Sequence, residues 1–242
     1  MATVVTSADP ALPTVLAEAS PAALGFDPTA DASAELDRQV QAYVELGLPA
    51  LLGLDVDGLR AAAEPLRPIV ADLPLAPADA GPDHVPFVVV LHPGAYAPGF
   101  DVDDAVPAMR RRARRGVSVI GHAELSTYRP IEGVTVPDGT AYLLLDVDTG
   151  SELCNVRPED ALVTVQGRGR TPLTIAEGVA LTTVRPDMLR PNRCYSLMGS
   201  RASNQRVPAV WISERRAKLG WCWDRNPHTW LGAASAAGRA GA

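Results

Sequence analysis

The chain has 242 residues, with 22 basic against 28 acidic side chains and a formal net charge of −6. At roughly 100 to 200 residues per domain, that length is one large domain, alone or with a small appendage. A hydrophobic share of 47% with 21% charged residues excludes wholesale disorder.

Residues 1–30 are rich in Ala, Pro, Ser and Thr without an apolar period, which predicts a flexible arm. Leu36, Val40, Tyr43 and Val44 then recur at helical spacing, and Gly47 is placed to end the helix. A second helical stretch, Leu59 to Ala71, is interrupted at Pro65 and Pro68. Residues 31–72 therefore read as a small helical subdomain, and the proline-rich residues 73–86 as a linker. Residues 87–242 read as the main domain.

Phe87 to Leu91 is a continuous β-branched run bounded by Pro86 and Pro93-Gly94, which predicts a buried strand. Asp101 to Arg115 predicts a helix, acidic in its first turn and basic in its last. Arg110, Arg111, Arg112, Arg114 and Arg115 would then oppose the negative end of its dipole. Thr140 to Val147 predicts a strand, turned at Asp148-Thr149-Gly150. Pro158 opens a short helix, and Thr174 with Glu177 forms a capping box that starts another, running to about Val184. Arg193 to Met198, Val207 to Ser213 and Leu219 to Trp223 are strand candidates with short polar connections, which favour antiparallel hairpins. Helices cluster early and strands late. The expected class is α+β, a helical N-terminal region packed on a mainly antiparallel sheet with flanking helices.

Charge is uneven: residues 1–100 hold 13 acids and 3 bases, residues 101–242 hold 15 acids and 19 bases. All but one of the bases are Arg, the exception being Lys218. That ratio fits a GC-rich genome, and one short basic run in an acidic chain is no stripe for nucleic acid, so none is expected as a partner. Neither a transmembrane run nor a basic leader is legible, and Cys154, Cys194 and Cys222 form no CxxC pair. A cytoplasmic protein with reduced thiols and no membrane contact is the expectation.

All four tryptophans fall between residues 211 and 230: Trp211, Trp221, Trp223 and Trp230, in one window with Cys222, Asn226 and His228. Indoles supply apolar area and one N–H each, so they suit a ligand wall as well as a packed core. Cys222 and His228 are the types needed for a thiolate–imidazole pair, against which stands a cysteine serving as a small core hydrophobe. Gly167-Arg168-Gly169-Arg170-Thr171 leads into the capped helix, where guanidinium forks and free amides suit an oxyanion. The competing role for those arginines is ion pairing within the protein. Cysteines and histidines lie at no metal-ligand spacing, and no cofactor motif is present.

Several motifs, taken in order, resemble one family. They include Gly167-Arg168-Gly169-Arg170-Thr171-Pro172-Leu173-Thr174, Gly199-Ser200-Arg201, Pro208-Ala209-Val210-Trp211-Ile212-Ser213, Leu219-Gly220-Trp221-Cys222-Trp223 and His228-Thr229-Trp230-Leu231-Gly232. That family is actinobacterial and known as a domain of unknown function; the resemblance spans about residues 120–239, and 31–70 more loosely. It implies a shared fold and no activity. Pro227 stands where a basic residue is expected in it.

The leading expectation is a binding protein for an anionic or aromatic metabolite. Trp211, Trp221, Trp223, Asn226 and Trp230 would hold the body of the ligand, and Arg168, Arg170 and Thr171 its charge. One alternative is a cysteine-dependent hydrolase or acyl-transfer enzyme with Cys222 as nucleophile and His228 as base. Another is an interaction module that docks a partner on an exposed apolar face over residues 36–54.

Overall fold

The computed structural model describes residues 22–77 and 80–241. Most of the predicted arm therefore lies outside the described residues. Asp31 caps the first helix, α1 (Ala32–Glu45), by accepting the Ala34 amide at 2.7 Å; Gly47, in the left-handed region, ends it. The interrupted stretch becomes α2 (Val56–Ala63), a 3-10 turn, and α3 (Arg67–Val70), broken where proline withholds its amide. Strand β1 (His84–Leu91) follows, buried from Val85 onward.

The predicted helix over 101–115 is corrected. Asp101 and Asp104 do form a capping box, yet α4 spans only Val102–Ala105 and a 3-10 turn carries the chain past Pro107. Met109 is already extended. The arginine run then folds into a hairpin of β2 (Arg110–Arg111) and β3 (Arg114–Arg115), with Arg112 left-handed at its turn. Gly116 closes it: its amide donates to Met109 O at 2.7 Å, and a Cβ there would sit 2.4 Å from Val106 O. Then come β4 (Val117–Ser118), α5 (His122–Leu125), β5 (Arg129–Pro130) and β6 (Ala141–Asp148). The second half adds α6 (Pro158–Gly167), β7 (Thr171–Pro172), α7 (Ile175–Val184), β8 (Cys194–Ser196) and β9 (Ser200–Arg201). It closes with β10 (Arg206–Ser213), β11 (Arg216–Trp223), β12 (Leu231–Ala233) and β13 (Ser235–Ala240).

Two sheets result. One runs β1-β6-β13-β7, all antiparallel; the other runs β12-β8-β10-β11-β4, with β12 and β4 parallel to their neighbours. The class is α+β, as expected. The segment 231–240, too rich in Ala, Gly and Ser to signal a strand, contributes one strand to each sheet. α7 is buried on nearly all sides and packs on both β1 and β10, so it forms the middle of the core. The predicted capping box is present: Thr174 N–H donates to Glu177 Oε2 at 2.7 Å, and Glu177 N–H returns to Thr174 Oγ1 at 3.4 Å.

α1 meets the sheet at the open edge of β1. Gln39 donates to Phe87 O at 3.0 Å and accepts from Val89 N at 2.8 Å, as a neighbouring strand would. Tyr43 adds a bond to Val89 O at 2.5 Å. The edge is thereby covered by side chains. Leu36, Val40, Leu46, Leu48 and Leu51 are all buried against it, so residues 36–54 offer no exposed apolar face. No helix among the described residues is long and apolar enough to cross a membrane.

Candidate functional site

The residues singled out in the sequence separate into three places. Arg168 and Arg170 both find protein carboxylates. Arg168 pairs with Glu152, and Arg170 bonds Asp146 Oδ2 at 2.9 Å, Asp146 O at 2.5 Å and Ser235 Oγ at 2.9 Å. Thr171 accepts from Arg239 Nη1 at 2.7 Å. The amides at the start of α7 are likewise engaged: Thr174 N–H by Glu177 Oε2, Ile175 N–H by Ser200 Oγ and Glu177 N–H by Thr174 Oγ1. Both arginines are thus engaged in the ion pairs that the sequence left as the competing role.

The tryptophan window does converge. Trp211, Trp221, Cys222, Trp223, Asn226, His228 and Trp230 line one hollow of about 290 Å³. Alternation along β10 and β11 divides its rings into two pairs. Trp211 lies opposite Lys218 in register and 6.3 Å from Trp230, with His228 5.0 Å beyond. Trp223 lies opposite Arg206 and 5.0 Å from Trp221, and the Arg206 guanidinium covers Trp221 at 3.9 Å. Gly220 lets Trp211 lie on the strand; a Cβ there would be 2.1 Å from its Cη2. Cys222 is buried, and that burial pushes its thiol up to about 12, so it holds its proton where a nucleophile must release it.

A third site escapes sequence reading. A cavity of about 350 Å³ opens between the end of β1, α5, β6 and the start of α7. Four rings wall it: His92, Phe100, Tyr128 and Tyr142. His92 and Tyr142 meet edge to face at 6.0 Å. His92 Nδ1 accepts the Gly94 amide at 2.9 Å, which assigns the ring proton to Nε2. Gly94 is required, since a Cβ would stand 2.8 Å from the His92 ring.

Behind the lining residues Tyr142 and Thr174 lies a buried ion pair. Glu177, with no exposed side-chain surface, accepts from Arg239 Nε at 2.5 Å and Nη2 at 2.8 Å. It also accepts from Tyr142 Oη at 3.0 Å and Thr174 N at 2.7 Å. Burial, then the Glu177 charge, hold the Tyr142 hydroxyl protonated far above its usual range. Ile175 N–H donates to Ser200 Oγ at 3.0 Å, leaving the Ser200 proton free to donate. Arg129 spends one nitrogen on Ser126 O and Tyr128 O, at 2.7 and 2.8 Å, and has no carboxylate partner among the described residues. Asp101 at the rim pairs with His122 at 3.0 Å. The arrangement offers an apolar, ring-lined body with donors from Arg129 and Ser200, beside the positive end of the α7 dipole. The sequence carried no signal for it, because its lining residues are scattered from 92 to 200.

The profile of a protein family matches residues 42–242, from the second half of α1 to the end of the chain. The chain belongs to DUF5701, a family of unknown function. The DUF5701 match thus takes in the ring-lined cavity, the tryptophan hollow and both sheets. Comparison with curated proteins and with solved structures returned no match.

Proposed function

We propose that the protein binds a small organic anion with a flat or apolar body in the cavity ringed by His92, Phe100, Tyr128 and Tyr142. One observation carries the reading: a hollow of about 350 Å³, mostly apolar, has a few donors converging at one end. Those donors are cationic or positively polarised. Arg129 lacks a carboxylate partner among the described residues, Ser200 has a free proton, and α7 points its first turn at the space. Glu177 does not oppose an anion there, since its charge is met by Arg239.

Benzoate and indole-3-acetate serve as probes, titrated by calorimetry and by thermal shift. Wild type is expected to gain stability with ligand concentration as mass action requires. Arg129→Gln should weaken binding about tenfold, the loss of one charged hydrogen bond. Ser126→Trp, a change at an exposed lining position, should block the mouth with no loss of unliganded stability. Binding unaffected by Ser126→Trp, or absent for every aromatic and aliphatic carboxylate tried, would remove the cavity as the site.

A further inference from the structure

The hairpin formed by the arginine run breaks a rule of strand pairing. Its register sets Arg110 against Arg115 and Arg111 against Arg114, and like charges directly opposite repel. Read as a helix end, the run needs no partner, since a dipole balances it; the hairpin has no such dipole. Among the described residues no carboxylate lies within ion-pairing distance of Arg110, Arg111, Arg112, Arg114 or Arg115. By contrast, Arg38, Arg67, Arg157, Arg185, Arg201 and Arg239 all have one. Arg110 is fully buried; its Nη1 donates to Pro107 O and Met109 O, while Nε and Nη2 find no partner among the described residues. Burial and then Arg115 draw it down to about 10.

The charge continues across the sheet. β2 and β3 pack on β11, and β4 runs parallel to it with Val117 beside Lys218. Arg215 and Arg216 stand at the turn and the start of β11, the strand against which β3 packs. Neither Arg215 nor Arg216 has a carboxylate partner among the described residues, and Glu214 pairs with Lys218 at 3.8 Å. On the same face of β11 as Lys218 lies Trp211, flat over Gly220, followed by Trp230 and His228. Cations thus lead directly onto a row of rings.

Against the expectation drawn from the net charge and the short basic run, we propose that this surface binds single-stranded nucleic acid, with Arg112, Arg114, Arg115, Arg215 and Arg216 on the phosphates and Trp211 and Trp230 stacking bases. Guanidinium forks match phosphate oxygens in pairs, and unpaired bases offer the faces that indoles stack on. A duplex hides those faces, and an acidic peptide has none. The site shares no lining residue with the ring-walled cavity, so the two proposals stand or fall separately.

Every tryptophan lies at 211–230, so intrinsic emission reports this surface directly. Oligothymidylate of about 20 nucleotides, added at about 50 mM salt, is expected to quench that emission and raise the anisotropy of a labelled strand. Trp221→Phe with Trp223→Phe leaves Trp211 and Trp230 as reporters, and the quenching should persist. Arg112→Gln, Arg114→Gln and Arg115→Gln together should cost at least about tenfold in affinity. The slope of log K against log salt should shrink by about 2, near 0.7 for each lost phosphate contact. These three side chains are exposed, and Arg215→Gln with Arg216→Gln provides a second, separate variant with the same expected direction. No binding at low salt overturns the proposal, as does wild-type affinity in both variants. Equal binding of a duplex, or equal competition by polyglutamate, would make the patch a general anion or protein-docking surface and overturn it too.

Discussion

Arg170 holds Asp146 at both ends, through the carboxylate at 2.9 Å and the main-chain carbonyl at 2.5 Å. Asp146 has φ +47 in the middle of β6, a left-handed residue where the strand should be extended. It stands between Leu145 and Val147, which pair normally with β1 and β13. His84 takes the other carboxylate oxygen at 3.1 Å. Arg170 is therefore the clasp of a kink, and its partly buried position gives the clasp weight.

Arg170→Gln is expected to lower unfolding free energy by about 1–2 kcal/mol, the worth of charged hydrogen bonds lost from a half-buried site. A double-mutant cycle with Asp146→Asn should return a coupling of about 1 kcal/mol. Arg168→Gln, on the same turn, should stay within about 0.5 kcal/mol because its pair with Glu152 is exposed. Equal effects at 168 and 170 would mean that the kink is not held by Arg170.

Gln39→Leu removes the side chain that completes the edge of β1. It strands Phe87 O and Val89 N–H in the core, so a loss of about 2–3 kcal/mol is expected in chemical denaturation. Hydrogen exchange at the Val89 amide should quicken in the variant beyond what the global loss explains. Unchanged protection at Val89 would place its partner elsewhere.

The thiols should label in the order set by burial. Cys154 is half-buried, whereas Cys194 and Cys222 are buried and burial raises both. Iodoacetamide on the native protein should therefore modify Cys154 first and Cys222 only at the rate of opening. Faster reaction at Cys222 would restore the nucleophile paired with His228.

Asp103 supplies a pH signature. Desolvation raises its carboxyl above the ordinary 3.8, with Asp101 and Asp104 adding to it against a bond from Ser118. The folded state then binds that proton more tightly than the unfolded one, so this group costs stability as pH rises through its folded value. Asp103→Asn should raise the melting temperature at pH 7. That gain should fade as pH falls through the folded value and vanish below the unfolded carboxyl value, where the wild-type group is neutral in both states. A gain that grows in acid would have the sign reversed.

Much of the framework is legible in the chain. Apolar spacing marks α1, the β-branched run marks β1, and Thr174 with Glu177 marks the start of α7. The arginine run misleads because its acid-to-base gradient mimics a helix; Pro107 and the close approach at Gly116 decide otherwise, and neither announces a hairpin. β12 and β13 are invisible because Ala, Gly and Ser lack strand propensity and are held there by their neighbours. The tryptophan hollow is legible because it is local, whereas the ring-walled cavity is assembled by topology from five distant segments.

The position of β13 has a kinetic consequence. It lies between β6 and β7, and of the four strands in its sheet it is synthesised last. Until it arrives, β6 has β1 on one side and bare backbone on the other, and Glu177 waits in the core without Arg239. Closure therefore joins segments some ninety residues apart (Leu145 with Gly238), a long loop to close before any contact rewards it. A nascent chain emerging from the ribosome would carry an open, apolar sheet edge from the completion of β6 until β13 is made, exposed to capture by chaperones or by another copy of itself.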